Sequence, residues 1–184
     1  MHLPEFIFMR GRLSLTAFIL MAGFNLIPLA KVVSASPDLN NTDNYRVLAG
    51  EESGLNISVI ERLLEEGDEK IAQGDLVEAR QKYDKAREIS KQLWSFYRDI
   101  GGAFRGLDAR IPKEMESKGR RSLDLLADAN LRLAALFRRQ NDPEVAVPLL
   151  VEVVRLLTPT SPQGQKAFQS LVELGFVDTP YAAR

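Results

Sequence analysis

The residues of this chain that could do chemistry are almost all carboxylates and cations. Glu65, Glu66, Asp68 and Glu69 fall within five positions, and such residue types serve divalent-metal sites and acid/base pairs. At helical spacing they wrap around the axis rather than converge, and the alternating spacing of a calcium loop is absent. The cluster therefore predicts a wet surface. The chain has one histidine, His2, and no cysteine. Past the first residues it offers neither a Cys/His zinc site, nor a Ser-His-Asp triad, nor a thiol nucleophile. The expectation is a non-catalytic protein with no cofactor and no metal. A carboxylate-dependent hydrolase acting on a cell-wall polymer would require two acids facing each other in a deep pocket.

Charge is unevenly spread. The net charge over 184 residues is -1, which gives no overall pull toward nucleic acid, and no nucleic-acid-binding motif appears. Residues 36–97 carry 8 basic and 13 acidic side chains, whereas residues 98–139 carry 10 basic and 6 acidic ones. Arg105, Arg110, Lys113, Lys118, Arg120 and Arg121 could touch anionic lipid headgroups or an acidic protein, or form a solvated face. Trp94, Phe96, Tyr97 and Phe104 place four aromatics in eleven residues. Spread around a helix, they cannot all face one core. Trp94 and Tyr97 are expected inside, and Phe96 and Phe104 are candidates for an interface.

The elements that must position these residues are helices. With 45% hydrophobic and 27% charged residues the composition is that of a globular chain. Ser58 followed by Glu61 reads as a capping box, and Ile60, Leu63, Leu64, Gly67 and Ile71 recur on one face. Gly74 is expected to end this helix, and Asp75 to cap the next, with Glu78 closing a second box. On that helix Leu76, Ala79, Tyr83, Ala86, Ser90, Leu93 and Tyr97 form a stripe. So short a turn requires an antiparallel pair with shared apolar faces. Leu126, Asn130, Leu133, Ala134 and Phe137 make a later stripe. Asn141-Asp142-Pro143 turns the chain, Asp142 as cap and Pro143 at the first helical position. Ala146, Leu149, Leu150, Val153, Val154 and Leu157 supply the partner face. Thr158-Pro159-Thr160 stops that helix, and Ser161-Pro162 starts another that runs to about Leu174, before Gly175. Strand patterns are missing.

Set side by side, the two pairs share a register. Gly67, Gly74, Ala79, Tyr83 and Ala86 align with Ala134, Asn141, Ala146, Leu150 and Val153 at a constant offset of 67. This resembles the tetratricopeptide repeat, whose helix pairs need a small residue where they cross and a large one filling the gap. The resemblance implies an all-α, short array of antiparallel hairpins over residues 54–178. Its units would lie at about 60–93 and 127–160, with a degenerate middle at 94–126, where Gly101-Gly102 and Ile111-Pro112 interrupt the pattern, and a capping helix at 161–174. Residues 179–184 would form a tail. In such repeats the first helix of each pair lines the concave face. The resemblance thus assigns Glu61, Leu64 and Asp68 from one unit, and Asp128, Leu131, Arg138 and Arg139 from the other, to contact with a peptide segment of another protein. The runs GGAFRGLDARIPKEMESKGR and RRQNDPEVAVPLLVEVVRLLTPTSPQGQKAF are also similar to small repeat proteins of cyanobacteria and chloroplasts. That likeness implies a scaffold assisting a photosynthetic membrane complex in a thylakoid lumen or periplasm, or alternatively a permanent subunit of one.

The first segment bears on compartment. Arg10 and Arg12 precede an apolar run from Leu13 to Ala30, and Val33-Ser34-Ala35 supplies small residues at cleavage spacing. This is the layout of a secretory leader over residues 1–35, with an uncleaved anchor over residues 13–33 as the alternative. Residues 36–53 are polar and turn-rich, as expected of a flexible linker.

Overall fold

The computed structural model describes residues 54–181. The expected leader, anchor and linker, and the last three residues of the tail, lie outside the described residues. Helix α1 (Ile57–Gln73) begins where the Asn56 side chain accepts a hydrogen bond from the Val59 amide at 2.8 Å. This corrects the expected start at Ser58. That residue lies inside the first turn and donates to Asn56 instead, because an asparagine two residues earlier meets the free amides first. Gly74 closes α1 with φ +83°, a left-handed conformation that costs glycine little. Asp75 then accepts from the Glu78 amide at 3.0 Å to open α2 (Leu76–Ala103). Glu78 does not complete a box; its carboxylate lies 2.5 Å from Lys70 across the turn.

Helix α2 runs on beyond Tyr97. It continues through Gly101 and Gly102, and a six-residue turn leads into α3 (Arg110–Arg139). Ile111 and Pro112 fall in the first turn of α3, where proline's missing N–H has no partner to lose. The interval 94–126 is thus the end of α2, a turn and the first half of α3. Asn141, at φ +60°, leads into α4 (Pro143–Leu157). Asp142 occupies the cap position there, yet its side chain makes no capping hydrogen bond, a correction to the expected cap. Thr158, also at φ +60°, ends α4. Ser161 opens α5 (Pro162–Glu173) by accepting from the Gly164 amide at 3.0 Å. After Gly175 the chain folds back so that Tyr181 meets the edge of Phe168, ring centroids 6.2 Å apart.

The described residues are all helical apart from turns, with no strand among them. Contacts between side chains fix how the helices run. Glu66 pairs with Lys82, Asp68 with Tyr83 and Lys70 with Glu78, so α1 and α2 are antiparallel. Gly101 faces Met115, Tyr97 faces Gly119 and Arg87 reaches Asn130, so α2 and α3 are antiparallel as well. Glu61 meets Arg121 and Asp68 meets Arg132, so α1 and α3 run in the same direction. Arg138 meets Glu173, which extends that direction to α5. Odd-numbered helices form one row, with α2 and α4 behind it.

One core runs through both rows. Ile60, Ala79, Tyr83, Ala86, Leu133, Ala134, Ala146, Leu150, Val153 and Ala167 are all buried. Removing such apolar surface from water is the main favourable contribution to the fold. Alanine and glycine occupy the points of closest approach. A Cβ on Gly67 would sit 2.3 Å from Cε1 of Tyr83, so the tyrosine ring fills the space that any side chain at residue 67 would need. Ala134, the matching position in the second pair, is equally hidden from water.

Candidate functional site

Two clefts among the described residues bear on function, and they differ in kind. The first is a slot of about 480 Å³ between the end of α2 and the start of α3. Gly101, Gly102 and Gly119 line it together with Trp94, Tyr97 and Met115. Tyr97 is partly buried against the core, and Arg98 lies over the Trp94 ring at 5.2 Å. This slot is where two helices with small residues leave a gap. Three arginines line it: Arg98 and Arg120 are paired with Asp99 and Glu116, and Arg105 joins them.

The second cleft is a groove of about 500 Å³ on the row of odd-numbered helices. α1 contributes Asp68, α3 contributes Asp128, Leu131, Arg132, Ala135 and Arg138, and α5 contributes Lys166 and Ser170. Leu131, Ala134 and Leu150 form its apolar part. Four of the residues assigned from the sequence therefore line one surface: Asp68, Asp128, Leu131 and Arg138. Arg132, Lys166 and Ser170 join them without having been singled out. Arg132 lies one turn after Asp128 on the same face of α3, a spacing that could have flagged it. Lys166 and Ser170 depend on how α5 docks, which no local pattern encodes.

The other assigned residues fall elsewhere. Leu64 is 4% exposed and belongs to the core, a correction to its expected contact role. α1 packs against both α2 and α3, so its apolar stripe is too wide to spare that position. Glu61 pairs with Arg121 near the start of α1. Arg139 is exposed but does not line the groove. Phe96 and Phe104 are exposed, as expected of interface candidates, and Tyr97 is partly buried. Within the basic run, Arg110 pairs with Asp108, Lys118 with Glu114 and Arg120 with Glu116.

Electrostatics sharpen the groove. Asp68 accepts the Tyr83 hydroxyl at 2.6 Å and a two-pronged contact from Arg132 at 3.0 and 3.1 Å. Desolvation works against its charge, but the Arg132 guanidinium and the Tyr83 hydroxyl outweigh that, and its carboxyl titrates below the usual range. Burial and the bond to Asp68 push the Tyr83 phenol upward. Arg132 is thus already engaged by Asp68, and Asp68 by Arg132. The acid left facing it is Asp128, raised by desolvation with Arg132 and Lys166 pulling the other way. Arg138 is tied to Glu173 at 3.1 Å. Among the described residues, Asp128 and Lys166 are the groove charges with no ion-pair partner.

Behind the groove, on the side of α3 that faces α2 and α4, Asn130 is fully buried and accepts from Nε of Arg87 at 2.6 Å while donating to Glu152 at 3.1 Å. Glu152 also holds Arg87 at 2.6 Å and Lys91 at 2.7 Å. Burial disfavours its charge, but Lys91 and Arg87 prevail and hold the carboxyl low. This network ties α2, α3 and α4 together. No group of three or more His, Cys, Asp or Glu among the described residues could hold a metal ion, and none of the described helices is long and apolar enough to cross a membrane. Compared with family models, with curated proteins and with solved structures, the chain matches none.

Proposed function

We propose that the chain is a non-catalytic interaction scaffold of the tetratricopeptide-repeat kind, which holds a polypeptide segment of another protein in the groove across α1, α3 and α5. The observation that carries this reading is the pairing of geometry and charge. Hairpins follow one another in the same sense, and the first pair crosses tightly at Gly67 with Tyr83 in the gap. The row of first helices leaves a groove with apolar floor and unspent charges of both signs at Asp128 and Lys166. An extended peptide fits such a surface, since apolar side chains can cover Leu131 and Ala135 while its charges meet Asp128 and Lys166. The leader-like first segment supports an exported setting, in a lumen or periplasm beside a membrane complex. Whether the contact is transient assistance or permanent membership of that complex is decided by the stability of the free chain.

The test is site-specific photo-crosslinking in native membranes. A photoreactive residue at Ala135, exposed beside the groove, is expected to capture a discrete protein that the same residue at Val77, on the outer face of α2, does not. Identical capture patterns at both positions contradict the reading.

A further inference from the structure

The α2–α3 hairpin reaches past the other described helices. α1 and α3 run in the same sense, with Glu61 at the level of Arg121. The offset of 60 between them carries the first residue of α1, Ile57, to the level of about residue 117. On the other row Glu152 sits level with Arg87 and Lys91, so α4 ends at Leu157 level with about the start of the segment Trp94–Ala103. Among the described residues, ten residues of α2 and the first turns of α3 therefore have only each other as helical partners. At 1.5 Å per residue this arm is about 15 Å long. Glycine makes a two-helix arm possible: a Cβ on Gly101 would lie 3.2 Å from Cβ of Met115.

The tip of this arm is unusual in what it shows to water. Leu107 is 80% exposed, and Phe104, at the end of α2, is 37% exposed. Flanking them are Arg105 and Lys113, which have no ion-pair partner among the described residues, and Arg110, whose side chain is 90% exposed. From Phe104 to Arg121 the chain has six basic and three acidic side chains. Apolar residues on a convex turn, ringed by cations, suit a fluid surface that parts for the side chains and offers anions around them. A protein interface of ordinary size would need a broader patch than a single turn presents.

We infer that the 104–113 tip is a contact for an anionic lipid bilayer, with Phe104 and Leu107 entering the headgroup region and Arg105, Arg110 and Lys113 facing the lipid charges. This is independent of the groove, which lies on the row of odd-numbered helices.

The absence of cysteine from the sequence permits a clean test on the full chain. Leu107→Cys carries an environment-sensitive fluorophore, and Val77→Cys carries it as the control. Mixed phosphatidylcholine–phosphatidylglycerol vesicles are expected to brighten and blue-shift the label at 107 and not at 77, with high salt reversing the change. Pure phosphatidylcholine should give little response. Each cation near an anionic surface is worth roughly five-fold in partitioning, so adding Arg105→Glu and Lys113→Glu should weaken the response at least about twenty-fold. A label at 107 that ignores anionic vesicles, while the chain itself sediments with them, overturns the inference. So does a response to detergent-solubilised membrane protein without a response to vesicles, which assigns the tip to a protein partner.

Discussion

The ring of Tyr83 occupies the place of a side chain at residue 67: a Cβ built on Gly67 would approach its Cε1 and Cδ1 to 2.3 and 2.7 Å. The hydroxyl of the same ring continues past the crossing to Asp68, so one residue both spaces α1 from α2 and anchors the edge of the groove.

Gly67→Ala is accordingly expected to destabilise the chain by about 1–3 kcal/mol through overpacking, despite alanine's better helix propensity. The matching pair 67 residues later is Ala134 with Leu150, both buried. Tyr83→Leu should therefore recover part of the loss, with a coupling of at least about 1 kcal/mol in a double-mutant cycle of denaturant unfolding. Gly102→Ala, with nothing within 4 Å of its Cβ, should be neutral or stabilising by up to about 1 kcal/mol. Equal effects at 67 and 102 contradict the packing account.

Asn130 is expected to behave as a joint between three helices rather than as a groove residue. Asn130→Ala removes an acceptor from Arg87 and a donor to Glu152 in a fully buried position, and should cost about 1–3 kcal/mol. Thermal unfolding measures this; a change within error of wild type would show that the network contributes nothing.

The acid limb of stability should have two opposing parts. Asp68 and Glu152 titrate below their ordinary values of 3.8 and 4.5. Depressed groups contribute stability that is fully present above the unfolded values and lost as pH falls through the folded ones. The melting temperature should therefore drop below about pH 4.5, and Asp68→Asn and Glu152→Gln should lower it at neutral pH while flattening that drop. Asp128 is shifted upward by desolvation, so its ionised form opposes folding above its ordinary value. Asp128→Asn should raise the melting temperature at pH 7 and change it little at pH 3. Parallel pH profiles for all variants contradict these assignments.

What the sequence revealed and what it hid divide along local and non-local lines. The Gly74-Asp75 turn, the stop at Thr158 and the start at Ser161 were legible because caps and turns act within a few residues. The crossing at Gly67 was legible because its spacing from Tyr83 repeats at Ala134 and Leu150. Gly101 and Gly102 read as a break, yet they lie within α2, where the lack of a side chain at Gly101 lets α3 come close. Gly164 carried no signal at all, although a Cβ there would lie 1.8 Å from the Thr158 carbonyl oxygen. Leu64 was misplaced because a helix with two neighbours buries a wider stripe than one. Arg132 and Lys166 were missed because the groove is assembled from helices far apart in sequence.

The central claim is that a polypeptide lies across α1, α3 and α5 and is held by the charges left unspent there. The most direct test is photo-crosslinking from Ala135 in native membranes with Lys166→Glu and Asp128→Lys introduced one at a time. The account predicts that each reversal abolishes the adduct while Phe104→Glu, at the far end of the arm, leaves it intact. An adduct that survives both reversals, or that is lost only with Phe104→Glu, would contradict it.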